Sequence, residues 1–258
     1  MGFKHITSRD NPIFKQLKRF ADSARERKKE KKTLLDGVHL ISAYMEVFGE
    51  PDVLIIPEGK SSIEATGLIQ SLSDISTVML PTLMFAELTP VVSSTGILAL
   101  VSVPQMQFPQ APKFVVMLED IQDPGNLGSM LRTAAAAGVD AVYLSEACTD
   151  AWSPKALRGG QGAQFVLPVV ENVNIVLAMN EFRGNVYATS VRGESLFEQD
   201  LQKATAFVIG NEGNGLREES IVAATKTIHI PMSLGSVESL NAAAALAVCL
   251  FERVRQSK

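Results

Sequence analysis

The feature that most constrains this chain is an alternation beginning at Lys113, in which short apolar runs of strand length give way to helical segments, repeatedly, to the C-terminus. "FVVMLED" precedes "NLGSMLRTAAAAG", "VDAVYLS" precedes "PKALRGGQG", and "QFVLPVV" precedes "VNIVLAMNEFRG". Then come "NVYATSV" and "ATAFVIG", the helical "LREESIVAATK", the strand "TIHIPM" and a last helix from about Leu240 to Arg255. Strands this apolar, separated by helices, bury both faces, so the pattern predicts an α/β fold with a largely parallel sheet covered on each side.

Upstream the same logic gives a smaller α/β unit of about a hundred residues. "NPIFKQLKRFADSARERKKEKK" places Ile13, Leu17 and Phe20 at helical spacing after Pro12, which predicts one helix that frays where its apolar face ends. "TLLDGVHLISAYMEVF" reads as an amphipathic helix, followed by strand, helix, strand, short helix and the strand "GILALVSVP". Val103 to Lys113 carries three prolines and no helical period, as a linker does. The division is therefore residues 1–105, a linker over 106–112, and a second domain over 113–258.

Charge is unevenly placed. The chain is acidic overall, at -4, yet residues 1–32 hold eleven Lys or Arg against four Asp or Glu. "RERKKEKK", Arg25 to Lys32, is either a solvated face of mixed-sign pairs or a contact for a polyanion. The acidic remainder argues against wholly non-specific nucleic-acid binding. Cys148 and Cys249 are about a hundred residues apart, which suggests neither a disulfide framework nor metal spacing and points to a reducing cytoplasm. No signal-peptide pattern or long apolar run is present, so export, membrane insertion and a bound metal are not expected.

Three polar loops stand at predicted strand ends, where α/β sheets take their ligands. "VIGNEGNGL", Val208 to Leu216, has three glycines within six residues. It lacks the Lys and Ser or Thr that complete a triphosphate loop, and its glycines have the wrong spacing for a dinucleotide fingerprint. A plain turn and a ligand loop both remain open for it. "DPGNLGSMLRTAAAAG" is a loop with Asn126 as N-cap and a helix closed by Gly138, in which Arg132 sits beside the stripe Leu127, Leu131, Ala134. A guanidinium in so uncharged a helix implies an ion pair or an anionic ligand. In "IPMSLGSVESLNAAAALAVCLFE", Ser239 and Asn241 cap a helix apolar on nearly every side, which should be buried and allow close approach of another helix or subunit. His229 reads as a buried strand histidine and Trp152 as a packing residue, with base stacking as the alternative for the latter.

In order and spacing these three stretches resemble the motifs of the SpoU (TrmH-like) class of SPOUT methyltransferases, which methylate RNA ribose 2′-hydroxyls. The similarity continues through "KALRGGQGAQFVLPV", and "ITSRDNPIFKQLKRF…LLDGVHLI" looks like the L30e-like substrate-binding domain of several members. The resemblance implies a trefoil-knotted domain, a homodimer formed around the knot, S-adenosyl-L-methionine as cofactor and RNA as substrate. It carries the catalytic roles onto Asn126, Arg132, Glu212, Ser239 and Asn241, and the cofactor contacts onto Gly210, Gly213, Ile230, Met232 and Leu240. Arginine is a poor base because its side chain stays protonated, so Arg132 is expected to bind the target phosphate and orient the hydroxyl.

Two departures from the family pattern stand out. Ser233-Leu234-Gly235 makes the third motif one residue longer, and "RGGQGAQF" has glycines where a serine is usual. Ribosomal RNA is the expected substrate, since an L30e-like domain recognises structured RNA. Transfer RNA is the alternative, and an inactive RNA-binding assembly factor is the reading from a different class. A hydrolase or NAD-dependent enzyme is disfavoured by the lack of a Gly-x-Ser-x-Gly elbow or triad spacing among His5, His39 and His229.

Overall fold

The computed structural model describes residues 3–59, 61–89, 94–233 and 238–257. The chain divides into two compact units, and the division is not a single cut: the first unit is Met1–Gln105 together with Trp152–Phe165, and the second is Met106–Ala151 together with Val166–Lys258. Residues 152–165 thus join the first unit, although their sequence reads as part of the second domain.

In the first unit the order is β1 (Phe3–His5), α1 (Pro12–Asp22), α2 (Ala24–Glu30), β2 (Lys32–Asp36), α3 (Val38–Phe48), β3 (Val53–Pro57), α4 (Ile63–Ser71), β4 (Thr77–Leu80), α5 (Thr82–Ala86) and β5 (Leu98–Ser102). The sheet runs β1-β4-β3-β5-β2, parallel across the first three strands and antiparallel where β5 meets β3 and β2. α1 starts as its sequence predicts: Asn11 accepts from the Ile13 N–H at 2.9 Å, and Pro12 occupies the first turn. It buries Phe14, Leu17 and Phe20, with Ile13 only partly covered.

The expected single basic helix is two. Ser23 closes α1 and opens α2, accepting from the Glu26 N–H at 3.3 Å. Within the basic run, Arg27 is buried and donates to the carbonyls of Phe20 at 2.6 Å and Ala21 at 3.0 Å, so it staples the two helices together. "TLLDGVHLISAYMEVF" is also not one helix. Gly37, at φ 98°, breaks it, and Leu34 and Leu35 before it are fully buried on opposite faces of β2.

The second unit contains β6 (Phe114–Leu118), α6 (Pro124–Ala136) and β7 (Ala141–Leu144). The chain then contributes α7 (Pro154–Gly160) to the first unit, where Leu157 and Phe165 are buried and Phe165 meets Tyr44 edge-on at 5.5 Å between ring centroids. Trp152 is buried here too, which favours packing over base stacking. The expected strand "QFVLPVV" is a short 3-10 turn at Ala163–Phe165 and a two-residue β8 (Val169–Val170), because Pro168 has no N–H to give a longer ladder.

The second unit resumes with β8, α8 (Ile175–Glu181), β9 (Asn185–Ser195), β10 (Thr205–Ile209), α9 (Glu218–Ala223), β11 (Lys226–His229) and α10 (Ala242–Gln256). Its six strands lie in the order β11-β9-β10-β6-β7-β8, every pairing parallel. The central pair β6 and β10 is buried at every position, as strands covered on both faces must be. α10 is buried along Ala243, Leu246, Cys249, Leu250 and Glu252, but Phe251 is 48% exposed, so the helix expected to be buried all round is covered on one face only within this chain.

Candidate functional site

Strands β6, β9, β10 and β11 all point their C-terminal ends the same way, and a cavity of about 450 Å³ lies there. That volume is in the range that holds a cofactor. Its walls include Gly210, Gly213, Ile230, Met232 and Leu240, all five residues expected to contact the cofactor, together with Glu212 and Ser239. Ile209 and Ile228 add apolar surface, and Thr189, Ser190 and Glu238 add polar groups.

The glycine loop is closed on itself. The backbones of Asn211 and Gly215 exchange hydrogen bonds at 3.0 and 2.9 Å, and the Asn211 side-chain oxygen accepts from the N–H groups of Gly213 and Asn214, each at 2.9 Å. A side chain at Gly210 would place its first carbon 2.3 Å from the Gly215 backbone and 2.4 Å from the Leu216 nitrogen, so only glycine permits this ring. The loop is therefore more than a plain turn: its backbone is brought to the cavity wall with no side chain in between.

The loop before α6 meets this one at Glu212, and the third loop joins them through Asn126. The Glu212 carboxylate accepts from the Asn126 side-chain amide at 3.2 Å and from the backbone N–H groups of Gln122 at 3.3 Å and Asp123 at 3.4 Å. Partial burial pushes the Glu212 pKa up, but its own N–H, Asn126, Gln122 and Asp123 together outweigh that and hold it below the usual carboxylate value. Glu212 is thereby kept ionised, which suits an orienting group better than a general base. Asn126 in turn accepts from the Asn241 side-chain amide at 3.2 Å.

These contacts correct one expectation about Asn126. The N-cap of α6 is Asp123, whose carboxylate accepts from the Asn126 N–H at 2.8 Å, so Asn126 stands within the first turn with its side chain available to Glu212. Asn241 is a cap, accepting from Ala243 at 2.9 Å and Ala244 at 3.3 Å, and its amide nitrogen also donates to Asn126. Ser239 lines the cavity and is exposed.

Arg132 is one turn and a half further along α6, exposed, and among the described residues it forms no hydrogen bond or ion pair. The internal ion pair that was one account of it is absent there. Of Ser233-Leu234-Gly235, the stretch that makes the third motif one residue longer, Leu234 and Gly235 lie outside the described residues.

Several cavity residues carried no sequence signal. Thr189, Ser190 and Val191 arrive because β9 runs beside β10, and nothing in their local spacing marks them. His229 is half-buried and lines the cavity, with Nδ1 within 3.0 Å of the Gly193 carbonyl and 3.1 Å of that of Glu194, so the expectation of a buried strand histidine is not met. Cys249 is fully buried at the cavity floor, where burial pushes its thiol up to about 12. Among the described residues no group of His, Cys, Asp and Glu has the arrangement to hold a metal ion, and no helix is long and apolar enough to cross a membrane.

A parallel sheet with a closed glycine loop at its C-terminal edge, joined through the Glu212 carboxylate to a second loop and through Asn126 to a third, frames a ligand-sized cavity in an α/β domain. The sequence profile of the SpoU rRNA Methylase family matches residues 113–251. Over 253 residues the chain is 32% identical to the 23S rRNA (guanosine(2553)-2′-O)-methyltransferase RlmP of Bacillus subtilis, covering 96% of this chain and 98% of that protein. The solved structure of the SpoU methyltransferase AviRb from Streptomyces viridochromogenes, in complex with AdoMet, superposes with a TM-score of 0.84 at 26% identity, over 95% of this chain and 98% of that one. An RNA 2′-O ribose methyltransferase crystal structure gives the same TM-score and identity over 98% of both chains. The chain belongs to the SpoU rRNA Methylase family.

Proposed function

We propose that this protein methylates a ribose 2′-hydroxyl of ribosomal RNA with S-adenosyl-L-methionine as the methyl donor. The observation that carries this is the junction of Glu212, Asn126 and Asn241 at the rim of the cavity, where one residue from each of the three loops meets. The activities named for the Bacillus relative and the two solved structures support it.

The cavity fits the cofactor by its own chemistry. Ile209, Ile228, Ile230 and Leu240 offer apolar walls for a purine, and the glycine loop offers backbone polar groups without a side chain in the way. Bound there, S-adenosyl-L-methionine supplies a methyl group activated by a sulfonium. The chain's own task is to bring the ribose oxygen into line and assist loss of its proton. Asn126 is fixed from both sides, by Glu212 and Asn241, and so holds the α6 N-terminus at the rim. Arg132, exposed and unpaired among the described residues, binds the target phosphate. Ser239, in the cavity wall, would fix the third loop and Arg132.

Residues 1–105, as an L30e-like domain, recognise the RNA in this reading, with exposed Arg25 and Lys31 at the two ends of α2 facing its phosphates. The knot and the homodimer of the family complete the site, and the uncovered face of α10 around Phe251 favours a second copy as its partner. The enzyme acts in the cytoplasm.

The test is transfer of tritium from methyl-labelled S-adenosyl-L-methionine into ribosomal and transfer RNA lacking ribose methylation, followed by alkaline and nuclease digestion. Label in an alkali-resistant dinucleotide from ribosomal RNA is expected. Label in transfer RNA alone would move the substrate, and cofactor binding without transfer to RNA or ribosomal particles would favour an inactive assembly factor.

A further inference from the structure

The glycine loop is a ring, but a ring needs an anchor. Its start is tied to Asp120 and the segment just past its end to both Glu119 and Asp120, two residues that follow β6 and belong to none of the roles assigned above. At the start of the loop, the Asn211 side-chain amide donates to the Asp120 carbonyl at 2.8 Å. At its end, the Arg217 guanidinium makes two bonds to one Asp120 carboxylate oxygen, from Nη2 at 2.6 Å and Nε at 3.1 Å.

Glu119 holds the same end from beneath. It is 2% exposed, and its two oxygens accept separately from the Arg217 backbone N–H at 2.8 Å and from the Ser220 hydroxyl at 2.6 Å, both partners lying 98 or more residues away in sequence. Arg217 is the N-cap of α9 and makes no capping bond with its own side chain, and Glu119, just after β6, accepts from the Arg217 N–H as the Glu of a local capping box would.

Asp120 is itself fixed. Its φ of 57° lies in the left-handed region, which Asp tolerates better than most residues, and that turn directs its carbonyl and carboxylate to different partners. Ser145 donates to its carboxylate at 2.7 Å and accepts from its N–H at 2.9 Å. The Gln122 side chain donates to the same Asp120 carbonyl at 3.1 Å. The position of the glycine ring relative to the sheet is thus set by a four-residue latch: Glu119 and Asp120 on one side, Arg217 and Ser220 on the other.

We propose that Glu119, Asp120, Arg217 and Ser220 are positioning residues for the cofactor, governing its affinity through the pose of the Gly210–Gly215 ring without touching it. The inference rests on the reading of the cavity as the S-adenosyl-L-methionine site. A latch that only stabilised the unit would be interchangeable with any other core contact. This one differs because its bonds end on Asn211, in the cavity wall, and on Arg217 and Ser220, which directly adjoin the wall residues Leu216 and Ile221.

The test is calorimetric titration of the full chain with S-adenosyl-L-methionine, alongside thermal melting. Arg217→Ala removes both guanidinium bonds and is expected to weaken binding about five- to tenfold, the magnitude for a charge-assisted pair that is partly open to water. Arg217→Lys, which keeps one charged bond, should recover part of that loss, and Asp120→Asn should fall between the two. Val142→Ala, a buried truncation in β7, serves as the control: it should lower the melting temperature and leave the affinity within twofold. Affinities unchanged in all three latch variants, or reduced equally by Val142→Ala, would overturn the proposal. No binding by the unsubstituted protein would remove the reading of the cavity itself.

Discussion

Asn241 has two jobs that a single pair of substitutions can separate. Its side-chain oxygen caps α10 at Ala243 and Ala244, and its amide nitrogen donates to Asn126. Replacing it with Ala removes both. Loss of an N-cap costs about 1 kcal/mol, and the water-exposed bond to Asn126 adds little, so the melting temperature of the second unit should fall by about 2–4 °C.

Asn241→Asp is the informative change. Aspartate caps as well as asparagine and adds a negative charge that a helix N-terminus favours, so the melting temperature should hold within about 2 °C. The site is not preserved. A carboxylate would face the Asn126 oxygen that now accepts from Asn241. If Asn126 turned its amide to donate instead, its oxygen would face ionised Glu212. Either way one contact becomes repulsive, and a displaced first turn of α6 should slow methyl transfer by about tenfold or more. The assay is initial-rate tritium transfer into the RNA that the unsubstituted protein labels, beside a thermal melt. An Asp variant with full activity, alongside an Ala variant whose loss follows its stability, would show that Asn241 is a cap and nothing more.

Arg132→Ala should leave the melting temperature and S-adenosyl-L-methionine affinity nearly unchanged, because the side chain is exposed and unpaired among the described residues, while methyl transfer is lost; loss of both binding and transfer, seen by calorimetry, would make Arg132 structural. Gly210→Ala should abolish measurable cofactor binding with an unchanged far-ultraviolet spectrum, since the new carbon would meet Gly215 backbone at 2.3 Å; normal binding would mean that the ring opens at little cost. Deleting residues 1–105 should give a poorly soluble second unit that binds a hydrophobic dye, because Trp152, Leu157 and Phe165 lose the unit in which they are buried; a soluble, dye-silent fragment would contradict this.

The site was largely legible because its chemistry is local. Each motif keeps its glycines, caps and polar groups within a dozen residues, so Gly210, Glu212, Ile230 and Asn241 could be singled out from spacing and resemblance. What sequence order conceals is contact at long range. Glu119 and Arg217 stand 98 residues apart, and nothing in either segment announces the bond between them. Thr189 enters the cavity only through the neighbouring position of β9 and β10.

The fold shows the same boundary between local and distant information. Parallel strands were readable from unbroken apolar runs, yet "TLLD" and the helix after it share one continuous helical period, and only the backbone at Gly37 separates them. Asp123 and Asn126 are both good caps, and which one serves is decided by where Pro124 lets the helix start. Pro154 and Ser153 mark a helix equally well in either unit, so its assignment to the first one could not be read from them.

That assignment bears on how the chain is made. The first unit needs residues 152–165, so it cannot be completed when residue 105 leaves the ribosome. At ordinary synthesis rates the remaining segment follows roughly 3–12 s later. During that interval β2 waits without α7, and β6, α6 and β7 are already available to pair. A nascent chain of this protein therefore presents two half-built cores at once, an interval in which a chaperone that shields apolar strands would have most to do.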